Sequence, residues 1–222
     1  MTLTYGEALQ VIGGLSRPSK MPWWSWSISA SNCITGSKLR KVPGSTCSSC
    51  YALKGFYRFP VVAAAHERRQ LALDHTDFVE AFTIVLHYLH AKTKKRRLDG
   101  DLENRFRWLD AGDLQSVDML IKINQIAINT PKINHWLPTR EYEIVGRYLA
   151  DGGTFAPNLV VRLSAAMVDD EPLRQPFGQS YSVVGCSEST KVHHCQASAS
   201  QGNECLECDK CWKRGNISYP LH

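Results

Sequence analysis

The residues of this 222-residue chain best suited to chemistry are its eight cysteines: Cys33, Cys47, Cys50, Cys186, Cys195, Cys205, Cys208 and Cys211. Two runs set their spacing: CSSC puts Cys47 and Cys50 on one tight turn, and CLECDKC puts Cys205, Cys208 and Cys211 on another. Thiolates held two residues apart repel unless a metal neutralises them, and such turns let two or three sulfurs reach one centre. Zinc takes four ligands, commonly two such pairs, here Cys47, Cys50 and two of the C-terminal sulfurs. Three cysteines spaced CxxCxxC look more like the run that wraps a [4Fe-4S] cube, and eight supply one such cluster or two. Taken alone, the pair at 47 and 50 also reads as a redox dithiol or a structural thiol pair. His193 and His194, beside Cys195, are candidates for completing a site. His66, His87 and His90 fall within helical patterns and read as structural or solvent-facing.

These thiols need elements to position them, and the middle of the chain has a rhythm. RFRWLD (105–110), INHWLP (133–138) and NLVVRLS (158–164) read as strands whose starts fall about 27 residues apart. Helical patterns fill the gaps. Ser116 is the N-cap of one with an apolar stripe at Val117, Leu120, Ile121 and Ile128, and Tyr142, Val145 and Leu149 mark the next. Strand, helix, strand at this period predicts right-handed crossovers and a parallel sheet. Upstream, Thr76 or Asp77 caps a helix whose apolar face is Phe78, Phe82, Val85, Leu86 and Leu89. Pro60 suits the first turn of an earlier helix. WWSWSISAS (23–31) reads as a first strand and YSVVG (181–185) as a last. The tail from Cys195 onward has little apolar periodicity and needs something other than a core, such as a metal, to hold it.

In parallel α/β folds ligands bind outside the carboxyl ends of the strands. Cys33 follows the first strand, Asp110 and Asp113 the second, Thr139 and Arg140 the third. The fourth ends at Arg162 and Ser164, and the fifth at Cys186. Thiols, carboxylates, hydroxyls and guanidiniums therefore arrive on one edge. Each has a plainer reading: Asp110 and Asp113 as caps of the helix after Ser116, Arg140 as the surface partner of Glu141 or Glu143. The expected architecture is a single α/β domain over 1–222, a partial (β/α) barrel or open parallel sheet. Within it, 1–60 holds the first strand and cysteine loop, 61–185 the βα repeats and 186–222 a metal-stapled, Cys-rich tail.

Composition narrows the classes. Hydrophobic residues make up 43% and charged residues 21%, which suits a globular chain and not a disordered one. No apolar run approaches the ~20 residues of a membrane span. The opening MTLTYGEALQ lacks a basic segment followed by an apolar one, which reads as no secretion signal and predicts a reducing, cytoplasmic setting where disulfides are rare. The net charge of +5 is compatible with a nucleic-acid partner without requiring one. KTKKRR (92–97) reads first as a solvated helix end and second as a phosphate contact, with no aromatic residue interleaved for base stacking.

The run 33–60, CITGSKLRKVPGSTCSSCYALKGFYRFP, together with RWLDAGD (107–113), HWLPTRE (135–141), NLVVRLSA (158–165) and the closing 186–212 cysteine segment, resembles the phage gene product 88 family, itself distantly similar to radical S-adenosylmethionine proteins. The resemblance implies a [4Fe-4S] cluster and a partial (β/α) barrel. The radical pattern CxxxCxxC is not kept, because Cys33 lies fourteen residues before Cys47, and Tyr51 follows the last cysteine rather than preceding it. The resulting expectation is an iron–sulfur protein whose cluster ties the N-terminal to the C-terminal cysteines and works in electron transfer or S-adenosylmethionine-like radical chemistry. Asp110, Asp113, Arg140 and Ser164 would hold cofactor or substrate. The alternatives are a non-catalytic cluster-bearing protein that binds a host factor or nucleic acid, and a zinc-stapled nucleic-acid module using 92–97 with Lys38, Arg40 and Lys41.

Overall fold

The computed structural model describes residues 3–19, 21, 23–96, 104–170, 177, 179–185, 192–197 and 202–220, with the side chains of 93–96 left aside. The 27-residue rhythm becomes the centre of one parallel sheet. Its strands are β1 (Trp24–Trp26), β2 (Arg105–Trp108), β3 (Asn134–Thr139), β4 (Leu159–Ser164), β5 (Ser180–Val184), β6 (His193–His194) and β7 (Ile217–Tyr219). They lie in the order β1-β2-β3-β4-β5-β7-β6, and every neighbouring pair is parallel. Of the two arrangements expected, this is the open sheet: β1 and β6 are its two edges and do not pair with each other.

The helices are α1 (Tyr5–Val11), α2 (Ile34–Leu39), α3 (Pro60–Ala72), α4 (Phe78–Arg96), α5 (Val117–Asn129) and α6 (Tyr142–Ala150). Local chemistry sets their ends. Ser116 Oγ accepts from the Met119 amide to cap α5, and Pro60, with no N–H to waste, occupies the first position of α3. The α4 face Phe78, Phe82, Val85, Leu86 and Leu89 is buried as its spacing predicts, against Trp26, Phe106 and Trp108. Helix α1 was not foreseen, although T-x-x-E at its start is legible: Thr4 accepts from the Glu7 amide while Glu7 accepts from the Thr4 amide.

Two expectations change in length. The first strand stops at Trp26, because Ser29 Oγ accepts from the Ser31 amide and turns the chain into a 3₁₀ turn over Ala30–Asn32, straight into Cys33. Strand β2 stops at Trp108, because Leu109 adopts φ 56° and the following Gly112, at φ 76°, comes so close to the segment after β1 that a Cβ there would lie 2.5 Å from Ile28 Cγ1. The tail, expected to lack a core of its own, contributes β6 and β7 to the sheet beyond β5.

Alternation sorts the sheet into two faces. Trp26, Phe106, Trp108, Leu137, Val161, Leu163, Tyr181 and Val183 face the helices and form the main core. The opposite face carries Ser25, Arg107, Trp136, Arg162, Ser164, Ser182, Ile217 and Tyr219, and the cysteine-rich tail packs there as a second cluster of Trp136, Cys211, Trp212 and Ile217. Arg162, fully buried, holds that tail down by donating to the carbonyls of Tyr181, Lys210, Cys211, Lys213 and Gly215.

One buried titratable group sits in the main core. His135 Nδ1 accepts from Trp108 Nε1 at 3.2 Å, which assigns the proton to Nε2, 2.8 Å from Thr130 Oγ1. Burial lowers the His135 pKa to about 3. In the unfolded chain a histidine titrates near ~6.5, so the His135 contribution to stability is present above that pH and is lost as pH falls toward 3. Asp113, raised to about 6 chiefly by burial, works in the opposite direction, so the difference between parent and His135→Gln isolates the histidine. The variant's destabilisation is expected to be largest above pH 6.5 and to shrink by up to about 1.4 kcal/mol per pH unit on acidification. Urea midpoints across pH 4–8 check this, and a pH-independent difference contradicts it.

Candidate metal centres

The first thiol group lies at the carboxyl edge of the sheet, where the loop from Cys33 to Phe59 crosses the ends of β1 to β4. Thr46 donates from its amide to the Ala166 carbonyl beyond β4 at 2.9 Å, and Ser45 bridges Met167. Thr35 gives its amide and hydroxyl to the two oxygens of Glu141 beyond β3, at 2.8 and 2.7 Å. Tyr51 and Tyr57 donate to the carbonyl and carboxylate of Asp110 beyond β2, at 2.6 and 3.0 Å. The loop is thus tied to three strands in succession.

Inside it Cys33, Cys47 and Cys50 are half-buried and within electrostatic reach of one another. Gly36, buried on α2, shows what keeps the space between two of them. A Cβ at Gly36 would sit 3.0 Å from Cys33 Cβ and 3.6 Å from the Sγ atoms of both Cys33 and Cys47. Burial pushes the Cys33 thiol up to about 12, with Asp113, the other two thiols and Glu141 adding to it. Burial also raises Cys47, opposed by the Arg140 guanidinium. A thiol in this setting keeps its proton until a cation takes its place.

The polar residues expected at this edge are there, engaged with one another. Asp110 accepts from Ser25 Oγ at 2.7 Å. Asp113 does not cap α5; it accepts from Thr139 Oγ1 at 2.5 Å, the Arg140 amide at 2.9 Å and the Leu114 amide at 2.8 Å. Arg140 donates its Nε to the Ala165 carbonyl at 3.1 Å. Ser164 lies one strand further on and accepts from Ser182 Oγ at 3.1 Å. Glu141 was not singled out as a site residue, and its contact with Thr35, 106 positions away in sequence, leaves no local signal. Arg107 was also missed. It is half-buried on the tail face, 4.5 Å over the Trp136 ring, with Nε unpartnered and with Asp110, Tyr51, Tyr57 and Tyr219 around it.

The second thiol group belongs to the tail: Cys195, Cys205, Cys208 and Cys211 interact electrostatically with one another. Burial raises Cys195 and Cys205, and it takes Cys211 to about 12 against the Tyr219 hydrogen bond and the Arg162 charge. Arginines face this group too: Arg107 and Arg105 oppose the rise at Cys205, and Arg105 donates to the Cys208 carbonyl at 3.3 Å. The seven described cysteines therefore assemble as a group of three and a group of four, and Arg107 reaches the surroundings of both. Cys186 lies outside the described residues, as do Arg97 and the side chains of 93–96 in the basic run; Lys92 rests 4.7 Å over the Tyr88 ring. Among the described residues, His193 and His194 included, no group of three His, Cys, Asp or Glu is arranged to hold a single metal ion.

Comparison with known proteins adds one finding. The gene product 88 family model matches residues 16–214, most of the chain and both thiol groups. The chain belongs to the gene product 88 family. No curated protein and no solved structure matches it. Similarity to radical S-adenosylmethionine proteins is not among the findings. Among the described residues of this family member, no helix is long and apolar enough to cross a membrane.

Proposed function

We propose that this gene product 88 protein is an iron–sulfur protein with two separate cysteine-held centres. Cys33, Cys47 and Cys50 would hold one, and Cys195, Cys205, Cys208 and Cys211 the other. The observation that carries the reading is at Gly36, where the lack of a side chain lets the sulfurs of Cys33 and Cys47 both lie within 3.6 Å of the point a Cβ would occupy. The donor chemistry fits. All ligands are thiols, and arginines stand beside both groups to offset thiolate charge. The CxxCxxC run at 205–211 is the spacing that wraps a [4Fe-4S] cube.

A [4Fe-4S] cluster supplies one-electron transfer. The protein's own residues do the rest. The tail group, with four thiols beside the Trp136–Trp212 pair, would fill every corner of a cube with cysteine. The loop group brings three thiols to the edge where Asp110, Asp113, Arg140 and Glu141 sit, and leaves a corner for a ligand other than cysteine. S-adenosylmethionine, with an amine and a carboxylate to meet those charges, is the ligand we assign there. Low-temperature electron paramagnetic resonance of the reduced protein tests this. Two signals are expected, one shifting when S-adenosylmethionine is added and one not. If neither moves, in the parent or in Cys186→Ala, the open corner is contradicted.

Gly36→Ala gives a direct check on the carrying observation. The φ at Gly36 is ordinary and alanine favours helix α2, so the fold is expected to hold. Iron at the loop centre is expected to fall at least several-fold, read as iron per chain against an unchanged circular dichroism spectrum.

A further inference from the structure

The chain's whole excess of positive charge sits on the loop that carries the first thiol group. Between residues 34 and 61 there are five Lys or Arg and no Asp or Glu, and the rest of the chain balances to zero. All five (Lys38, Arg40, Lys41, Lys54 and Arg58) are exposed. Among them, large rings stand in solvent: Phe56 is 77% exposed, Tyr51 53% and Phe59 51%. Tyr51 is pinned by its hydroxyl to Asp110, and Phe56 and Phe59 meet edge to face at 5.3 Å, so these rings are held in place rather than trailing.

We infer that this surface binds a single strand of nucleic acid. Exposed rings that alternate with cations, at 51, 54, 56, 58 and 59, combine the two features such strands need: π faces for unpaired bases and positive charge along the backbone. The basic run at 92–97 has the charge but no ring. An acidic protein would match the charge, but it gains nothing from three presented rings. A duplex hides its base faces and gains nothing from them either. The inference does not depend on the cysteines holding metal, so it stands or falls separately from the cluster.

Fluorescence anisotropy of the full protein tests it, using labelled oligo-dT and oligo-U of about twenty nucleotides, a duplex of equal length and poly-L-glutamate. Single strands are expected to bind at least tenfold more tightly than the duplex or poly-L-glutamate. The log–log salt slope should be no steeper than about −3.5 if all five cations meet phosphates. Phe56→Ser with Phe59→Ser is expected to weaken binding tenfold or more and leave that slope unchanged. Lys54→Gln with Arg58→Gln should reduce the slope by about 1.4 units. Both pairs lie on exposed positions and leave the core untouched. Equal binding of poly-L-glutamate, which would mark an acidic-protein face, overturns the inference. So does equal duplex binding, no binding at all, or loss of binding on Lys94→Gln with Lys95→Gln while the loop variants stay intact.

Discussion

Cys47→Ala is expected to lose about four of roughly eight irons per chain, with the acid-labile sulfide falling in step. Cys47 is one of three thiols in the loop group among the described residues, its Sγ would lie 3.6 Å from a Cβ at Gly36, and Arg140 favours its charged form. Two remaining thiols, one of them pushed by burial to about 12, have little hold on metal. The tail group shares none of these contacts, so its iron should remain and its absorbance near 400 nm with it. Cys208→Ala is the mirror experiment and should spare the loop centre. If either substitution empties both centres, the two groups are one, as an N- and C-terminal cluster held in common would require.

Arg162→Met is expected to cost about 3–5 kcal/mol, among the largest effects of any single change outside the cysteines. The side chain is fully buried in the middle of β4 and donates to five carbonyls, four of them in the tail between Lys210 and Gly215. Methionine fills the volume but withdraws every guanidinium donor from those carbonyls, the buried Tyr181 and Cys211 carbonyls included. Lysine keeps the charge but lacks the planar fork that reaches several acceptors at once, so Arg162→Lys should recover only part of the loss. Urea midpoints report the stability. Iron per chain reports the consequence, because a tail that lifts from Trp136 takes Cys205, Cys208 and Cys211 with it. An Arg162→Met protein with parental stability and full iron contradicts this account of the tail.

Much of this frame was legible in advance, because strands and helices advertise themselves through short-range pattern. The repeats ending at Trp108, Thr139 and Ser164, the Ser116 cap and the apolar face of α4 all depend on residues within a turn or two of one another. So does the arrival of Cys33, Asp110, Asp113 and Arg140 on one edge, which follows once the strands are parallel. What was not legible depends on partners far apart in the chain. Asp113 looked like a helix cap and instead binds Thr139 and the Arg140 amide, 26 and 27 positions on. The strands β6 and β7 are two and three residues long, too short for a period; they pair through β5, and the segment leading into β7 is held by Arg162 from 48 to 53 positions away. The division of the cysteines into three and four is invisible in spacing alone, because Cys33 joins Cys47 and Cys195 joins Cys205 only through the sheet edge and the tail.

The central claim is that these thiols hold two iron–sulfur centres. Anaerobic purification of the full chain, with absorbance, iron, sulfide and zinc counted per protein, tests it most directly. A brown protein absorbing near 400 nm with about eight irons and a matching count of sulfide is the expected result. About four irons would leave one centre. A colourless protein with stoichiometric zinc and no sulfide contradicts the claim.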